Sequence, residues 1–398
     1  MDTLEYILTH FNDCVKENRS DNGNFIGLPY PYTVPAIGYF DNMYYWDTYF
    51  TNVGLFVCGC AHQAKNNVDN MLYLVDKYGF MPNGNRTFFL SRSQPPFLSE
   101  MVKDVYEYYK DPVWLKSAYE GLNKEYNFWQ TGRITGIGLN QYGGCIDNEN
   151  EFCNSFVERV GYNPEIESSC LARHSIAQME SGWDISPRMG CESYNCCEVD
   201  LNSLLYMHEK NMEYFSLVLK NNDEDKWHNA AEIRKELMCK YMYNEDNIPY
   251  DYNFQKKCLC DVYSAAAFYP MFAKCASEKQ AKSIADNIDI LEYAYGISAC
   301  ADNNVKGVYQ WNYPNGWACL QYIAAIGLAN YGYHDDAIRI IKKYVAAIDK
   351  IYGDTGKLWE KYNVTDGSIN VVNEYEMPEM MGWTAGVYLW CLDYLKRA

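Results

Sequence analysis

Asp-Leu-Asn-Ser-Leu-Leu-Tyr-Met-His-Glu-Lys-Asn-Met-Glu-Tyr-Phe-Ser-Leu-Val-Leu (200–219) sets the expectation for the fold. Its bulky positions, Leu201, Leu204, Leu205, His208, Met212, Phe215 and Leu219, recur every three or four residues, the period of one helical face. Asp200 is the expected N-cap, because a short side-chain oxygen there can accept an amide of the first turn. From Asp336 the series Ile338, Ile341, Val345 and Ile348 repeats the spacing. Similar stretches occur near 2–17, 44–58, 61–78, 98–109, 112–131, 224–242, 262–273, 278–290, 315–331 and 383–396. With 201–219 and the run from 336, they predict about twelve helices. Strand signals are few and short, so the chain reads as all-α. Nothing divides it by composition, which predicts one domain over 1–398.

The intervening segments 22–43, 79–97, 132–198, 243–260, 291–314 and 352–382 are rich in Gly, Pro, Asn and aromatic residues. They are long for linkers, and long ordered loops tend to carry function. Helices alternating with such loops suit a ring of paired helices whose loops meet over one end.

With 34 basic against 52 acidic residues the net charge is −18, which disfavours nucleic acid and anionic membrane surfaces as partners. The first residues, Met1-Asp2-Thr3-Leu4-Glu5-Tyr6, are acidic, and no apolar run approaches the ~20 residues of a membrane span. A cytoplasmic location is expected, with the sixteen cysteines as reduced thiols. Cys58/Cys60 and Cys258/Cys260 are too closely spaced for zinc knuckles, and the six histidines show no H-E-x-x-H pattern. Neither metal nor cofactor is expected.

Chemistry concentrates in five segments. Asp184 lies in Glu-Ser-Gly-Trp-Asp-Ile-Ser-Pro-Arg (180–188), and Glu374 in Asn-Glu-Tyr-Glu-Met-Pro-Glu-Met-Met-Gly-Trp (373–383). Two carboxyls in aromatic, glycine-broken settings are the apparatus of glycoside hydrolysis, one donating a proton while the other stays ionised. The loop 79–96 sets Asn83, Arg92 and Gln94 among prolines and rings, which suits the directional donors and acceptors that sugar hydroxyls need. The runs 44–50, Tyr-Tyr-Trp-Asp-Thr-Tyr-Phe, and 310–317, Gln-Trp-Asn-Tyr-Pro-Asn-Gly-Trp, add indoles on which sugar faces stack.

Together these runs resemble the trehalase family, glycoside hydrolase family 37. Matching blocks are 44–50 with Thr48 for the family's Ser, 82–86 with 90–96, the Glu-Ser-Gly-Trp-Asp run, 310–317 with Asn312 for Asp, and the Glu-Tyr run before Gly-Trp-Thr. The resemblance implies an (α/α)6 toroid with its site at the mouth of the loops, and an inverting mechanism. It implies Asp184 as general acid and Glu374 as general base. Trp46, Asp47, Asn83, Arg92, Gln94, Gly182 and Trp311 are implied as sugar contacts, along with the positions of Tyr39 and Glu165.

Two family arginines are missing. Tyr39, in Ala36-Ile37-Gly38-Tyr39-Phe40, stands where one falls, and Asn163 before Pro164 and Glu165 where another does. Neither replaces a bidentate guanidinium conservatively, which leaves Arg159 or Arg173 to compensate. The expected function is an inverting α-glycosidase acting on a small soluble α-glucoside, α,α-trehalose or a related α-linked disaccharide, as a monomer. The alternatives are a glucosyl- or mannosyl-glycerate hydrolase and a non-catalytic carbohydrate-binding relative.

Overall fold

In the computed structural model, which describes residues 1–373 and 375–398, helices dominate. In chain order they are α1 (Thr3–His10), α2 (Tyr45–Val57), α3 (Ala61–Tyr78), α4 (Leu98–Tyr109), α5 (Pro112–Gly132), α6 (Glu149–Val160) and α7 (Ser168–Ser181). There follow α8 (Val199–Leu219), α9 (Glu224–Tyr241), the short α10 (Tyr269–Phe272), α11 (Glu278–Asp286), α12 (Ala318–Asn330), α13 (His334–Thr355) and α14 (Gly382–Arg397). Local chemistry starts several of them. Asp2 accepts the Glu5 amide ahead of α1, Asp111 accepts two amides ahead of Pro112 in α5, and Ser277 with Gln280 forms a capping box on α11.

Six helices form a closed ring: α2 packs on α4, α4 on α8, α8 on α10, α10 on α12, α12 on α14, and α14 returns to α2. Outside them α3 bridges α2 and α4, α5 bridges α4 and α8, α9 backs α8, and α13 bridges α12 and α14. Sequence and position agree here. Inner α12, apolar on all sides, is buried along nearly its whole length, whereas outer α13 buries one stripe, Ala337, Ile340, Ile341, Tyr344, Ala347, Ile348 and Ile351. The ring closes through glycine. A Cβ on Gly54 of α2 would lie 2.4 Å from Gly386 Cα of α14, and one on Gly386 would lie 2.2 Å from Phe50 O. Only hydrogen at both positions lets the first and last ring helices cross backbone to backbone.

The main core runs from Ile7 to Cys391, with a satellite of Cys153, Phe156, Val160, Leu171, Ile185, Cys191 and Tyr309 beneath α6. Strands are two or three residues long and all antiparallel. The pair that matters for the site is Asn315–Trp317 with Lys361–Asn363, in which Trp317 faces Lys361.

Two expectations are corrected. Segment 132–198, read as a connection, contains α6 and α7, which brings the described helices to fourteen. Helix α7 escaped the apolar-stripe criterion because its buried face mixes Leu171, Ala172, Ile176 and Ala177 with His174, Ser175, Gln178 and Glu180. Asp200 is not an N-cap: α8 begins at Val199 after Glu198, and the Asp200 carboxylate instead accepts from Arg188 (Nη2, 2.7 Å) and from the Tyr142 hydroxyl (3.0 Å).

Candidate active site

A cavity of about 250 Å3 opens where the long loops meet. Its base is aromatic. Trp311 and Trp317 stack in parallel with ring centres 3.8 Å apart, Trp46 lies 5.5 Å from Trp311, and Trp383 stands edge-on to Trp46 at 5.9 Å. Four indoles give a rigid apolar platform with the polar groups set around it.

Trp46 and Asp47 occupy the first turn of α2, and Gln94 from the 79–97 loop caps that turn, its Oε1 accepting the Trp46 amide at 3.2 Å. Asp47 is buried, and desolvation, followed by the charge of Glu360, pushes its carboxyl up to about 8. It therefore holds its proton more tightly than an exposed carboxyl does. Asn83 is buried with its amide 3.4 Å from Ser93 O. Arg92 lies beside Phe89, 5.2 Å from guanidinium to ring centre, and among the described residues its buried Nε has no protein acceptor. That leaves it a donor for a ligand hydroxyl.

Helix α7 ends at Ser181, and Gly182 takes the left-handed conformation (φ +71°). A Cβ there would also meet the Trp46 ring at 2.7 Å, so this reversal requires glycine on two counts. The turn sends Trp183 into the core and brings Asp184 to the cavity. Arg159, near the end of α6, places Nη2 3.2 Å from Asp184 Oδ2.

Glu374 lies outside the described residues. Another carboxylate lines the cavity with Asp184: Glu360, 4% exposed, just before the strand Lys361–Asn363. Its Oε1 accepts from the Tyr375 hydroxyl at 2.6 Å and its Oε2 from Lys361 Nζ at 2.7 Å. Sequence reading missed it, although Trp359-Glu360 has the acid-beside-indole adjacency that drew attention to Asp184.

Trp46, Asp47, Asn83, Arg92, Gln94, Gly182, Asp184 and Trp311 thus converge on one cavity. Tyr39 and Glu165 do not line it. The Tyr39 ring is 49% exposed and packs edge-on against Phe40 at 4.8 Å, and Glu165 is exposed in the connection between α6 and α7. Between the two candidate compensating arginines, Arg159 lines the cavity, whereas Arg173 lies over Tyr194 in a separate groove with Gly144 and Glu149.

The Trehalase family model matches residues 4–396. A periplasmic trehalase of Salmonella choleraesuis (strain SC-B67) is 32% identical over 424 residues, covering 99% of this chain and 73% of that protein. Among solved structures, a neutral trehalase from Saccharomyces cerevisiae superposes with a TM-score of 0.80 at 26% identity, covering 99% of this chain and 80% of that one. A GH63 mannosylglycerate hydrolase from Thermus thermophilus shares the fold, with a TM-score of 0.66 at 15% identity over 97% of this chain and 99% of that one. A closed ring of six inner helices around a tryptophan-based cavity with carboxylates belongs to the (α/α)6 glycoside hydrolases. Within that class the chain belongs to the trehalase family.

Among the described residues no helix is long and apolar enough to cross a membrane, and no group of three or more His, Cys, Asp or Glu could hold a metal ion.

Proposed function

We propose that the chain is an inverting α-glycosidase that hydrolyses α,α-trehalose or a related α-linked disaccharide. The observation that carries this reading is that Asp184 and Glu360 line one small cavity together with the sugar-contact set Trp46, Asp47, Asn83, Arg92, Gln94 and Trp311. Asp184 protonates the glycosidic oxygen as the bond to the anomeric carbon breaks. A carboxylate across the cavity takes a proton from water attacking the opposite face of that carbon. Inversion requires room for that water, with the two carboxyls roughly 6.5–9.5 Å apart.

The sequence resemblance gives the base role to Glu374. We assign it to Glu360, because this carboxylate is buried in the cavity wall and held by Tyr375 and Lys361. These two bonds fix the position of its oxygens in the cavity wall. Arg159, at the cavity beside Asp184, supplies a guanidinium to the site.

NMR of early product from trehalose tests the mechanism. β-Configured glucose should appear together with the α-glucose that leaves, whereas release of α-glucose alone sinks the inverting reading. A panel of α-linked disaccharides and glycosyl-glycerates run beside it ranks the substrates. Sugar binding without turnover on the whole panel would favour the carbohydrate-binding alternative.

The protein is proposed to act as a single-domain monomer in a cytoplasm. Support for the compartment comes from sixteen cysteines held as thiols, many of them buried. The similar Salmonella protein is named for the periplasm, so cell fractionation is the deciding measurement. Recovery from the periplasm, or a melting temperature that falls on reduction, would overturn the cytoplasmic assignment.

A further inference from the structure

Glu180, four residues before Asp184 and in the last turn of α7, is fully buried and accepts from four N–H groups. Its Oε1 accepts the Ser93 amide at 2.8 Å and Arg133 Nη2 at 2.9 Å. Its Oε2 accepts the Gly143 amide and Arg133 Nε, both at 2.6 Å. A buried carboxylate persists only when paired and hydrogen-bonded, and here each oxygen holds one backbone amide and one arm of a bidentate guanidinium.

The segments joined are what give the arrangement meaning. Ser93 stands between Arg92 and Gln94, both of which line the cavity. Arg133 ends α5, and Gly143 lies in the stretch that follows, where the Cys145 amide also donates to Ser91 O at 2.8 Å. Glu180 thus ties the loop that presents sugar-binding donors directly to the helix whose end presents Asp184. Nothing about this glutamate contacts the cavity itself.

We infer that Glu180 is a positioning residue for the reaction proposed above, setting the distance between the Arg92–Gln94 loop and the acid, with Arg133 locking its carboxylate in register. This rests on the glycosidase reading of the site. A slip of about 1 Å between binding groups and acid is enough to cost on the order of 100-fold in rate.

The test compares Glu180→Gln, Glu180→Asp, Arg133→Met and Arg133→Lys in the full chain, each assayed well below its own melting temperature. The readouts are kcat and KM on the best α-glucoside and, separately, the Kd for glucose from tryptophan fluorescence. A glutamine sets an NH2 donor against one of the donors that Glu180 accepts. Glu180→Gln should therefore raise KM and the glucose Kd about tenfold or more and lower kcat as well. Arg133→Met leaves both amide bonds in place and should show a smaller rise, which Arg133→Lys partly restores. If Glu180→Gln does not fold, the Arg133 pair carries the test. Variants that melt lower yet keep KM, kcat and glucose Kd within about twofold of the parent would reduce Glu180 to a fold staple and overturn the inference. If the parent binds glucose but turns over no glucoside, the glycosidase reading fails and the Kd arm still decides whether Glu180 positions the loop. A parent that does neither overturns both.

Discussion

The buried wall of the cavity and its outer rim are built on different principles. On the wall, Trp46, Asp47, Asn83 and Gln94 are buried, and several of their polar atoms are committed to the backbone, as where Gln94 caps the first turn of α2. At the rim, Tyr39, Asn163 and Glu165 are exposed and do not line the cavity, and Arg159 reaches in from α6, a helix seated on its own small core. A residue that fills the wall cannot change without disturbing the ring of helices behind it, whereas one at the rim can be replaced and its charge supplied from a different element. On the proposed reading of the site, Arg159, which lines the cavity 3.2 Å from Asp184, is the charge supplied in that way.

Substitutions graded across the two regions measure this contrast. Asp184→Asn should lower kcat by about 100-fold to 10,000-fold, the range for loss of a general acid, as measured by initial rates on trehalose. Glu360→Gln should fall in the same range, with Glu374→Gln as its control. If Glu374→Gln abolishes turnover while Glu360→Gln stays within about tenfold of the parent, the base is Glu374.

Next in size, Arg159→Met removes a charged contact worth roughly 1.5–3 kcal/mol and should raise KM about 10-fold to 100-fold. Arg173→Met should leave KM within about twofold. Equal effects from the two arginines would break the assignment of Arg159 to the rim.

The pH dependence of Asp47 comes third. Its carboxyl is raised from 3.8 to about 8, so the folded state keeps a proton that the unfolded chain releases. Stability therefore falls as pH rises through the window from about 4 to 8, and Asp47→Asn should flatten that slope in thermal melts. Above about pH 8 the ionised Asp47 places a second negative charge near Glu360, so KM should climb in the parent and not in Asp47→Asn.

The smallest effect is expected from Tyr39→Ala, which should change kcat/KM by less than about threefold. A loss comparable to that of a wall residue would mean that the rim closes over the substrate in a way the open cavity does not show.

The periodicity at 201–219 and its repeats were enough to expect an all-α chain, because a helix that must bury one face writes that need every three to four residues, while the closed ring was implied by the family resemblance. The short motifs around Trp46, Asn83, Arg92, Asp184 and Trp311 named the wall, since glycine turns, indoles and paired amides are demanded by local geometry that short sequence records. Helix α7 was invisible to the same reading, because its buried face is spent on hydrogen bonds such as those of Glu180, and polar residues there look like loop. Glu360 was passed over for a related reason: a buried charge is recognisable only once its partners, Tyr375 and Lys361, have been brought to it. Which arginine serves the rim was likewise decided by tertiary structure alone, since Arg159 and Arg173 lie fourteen positions apart and only packing shows which one reaches Asp184. Local sequence specifies elements and turns. Contacts between elements, and therefore which charges meet, follow from how the ring closes, and that closure depends on Gly54 and Gly386, more than three hundred residues apart, lying against each other.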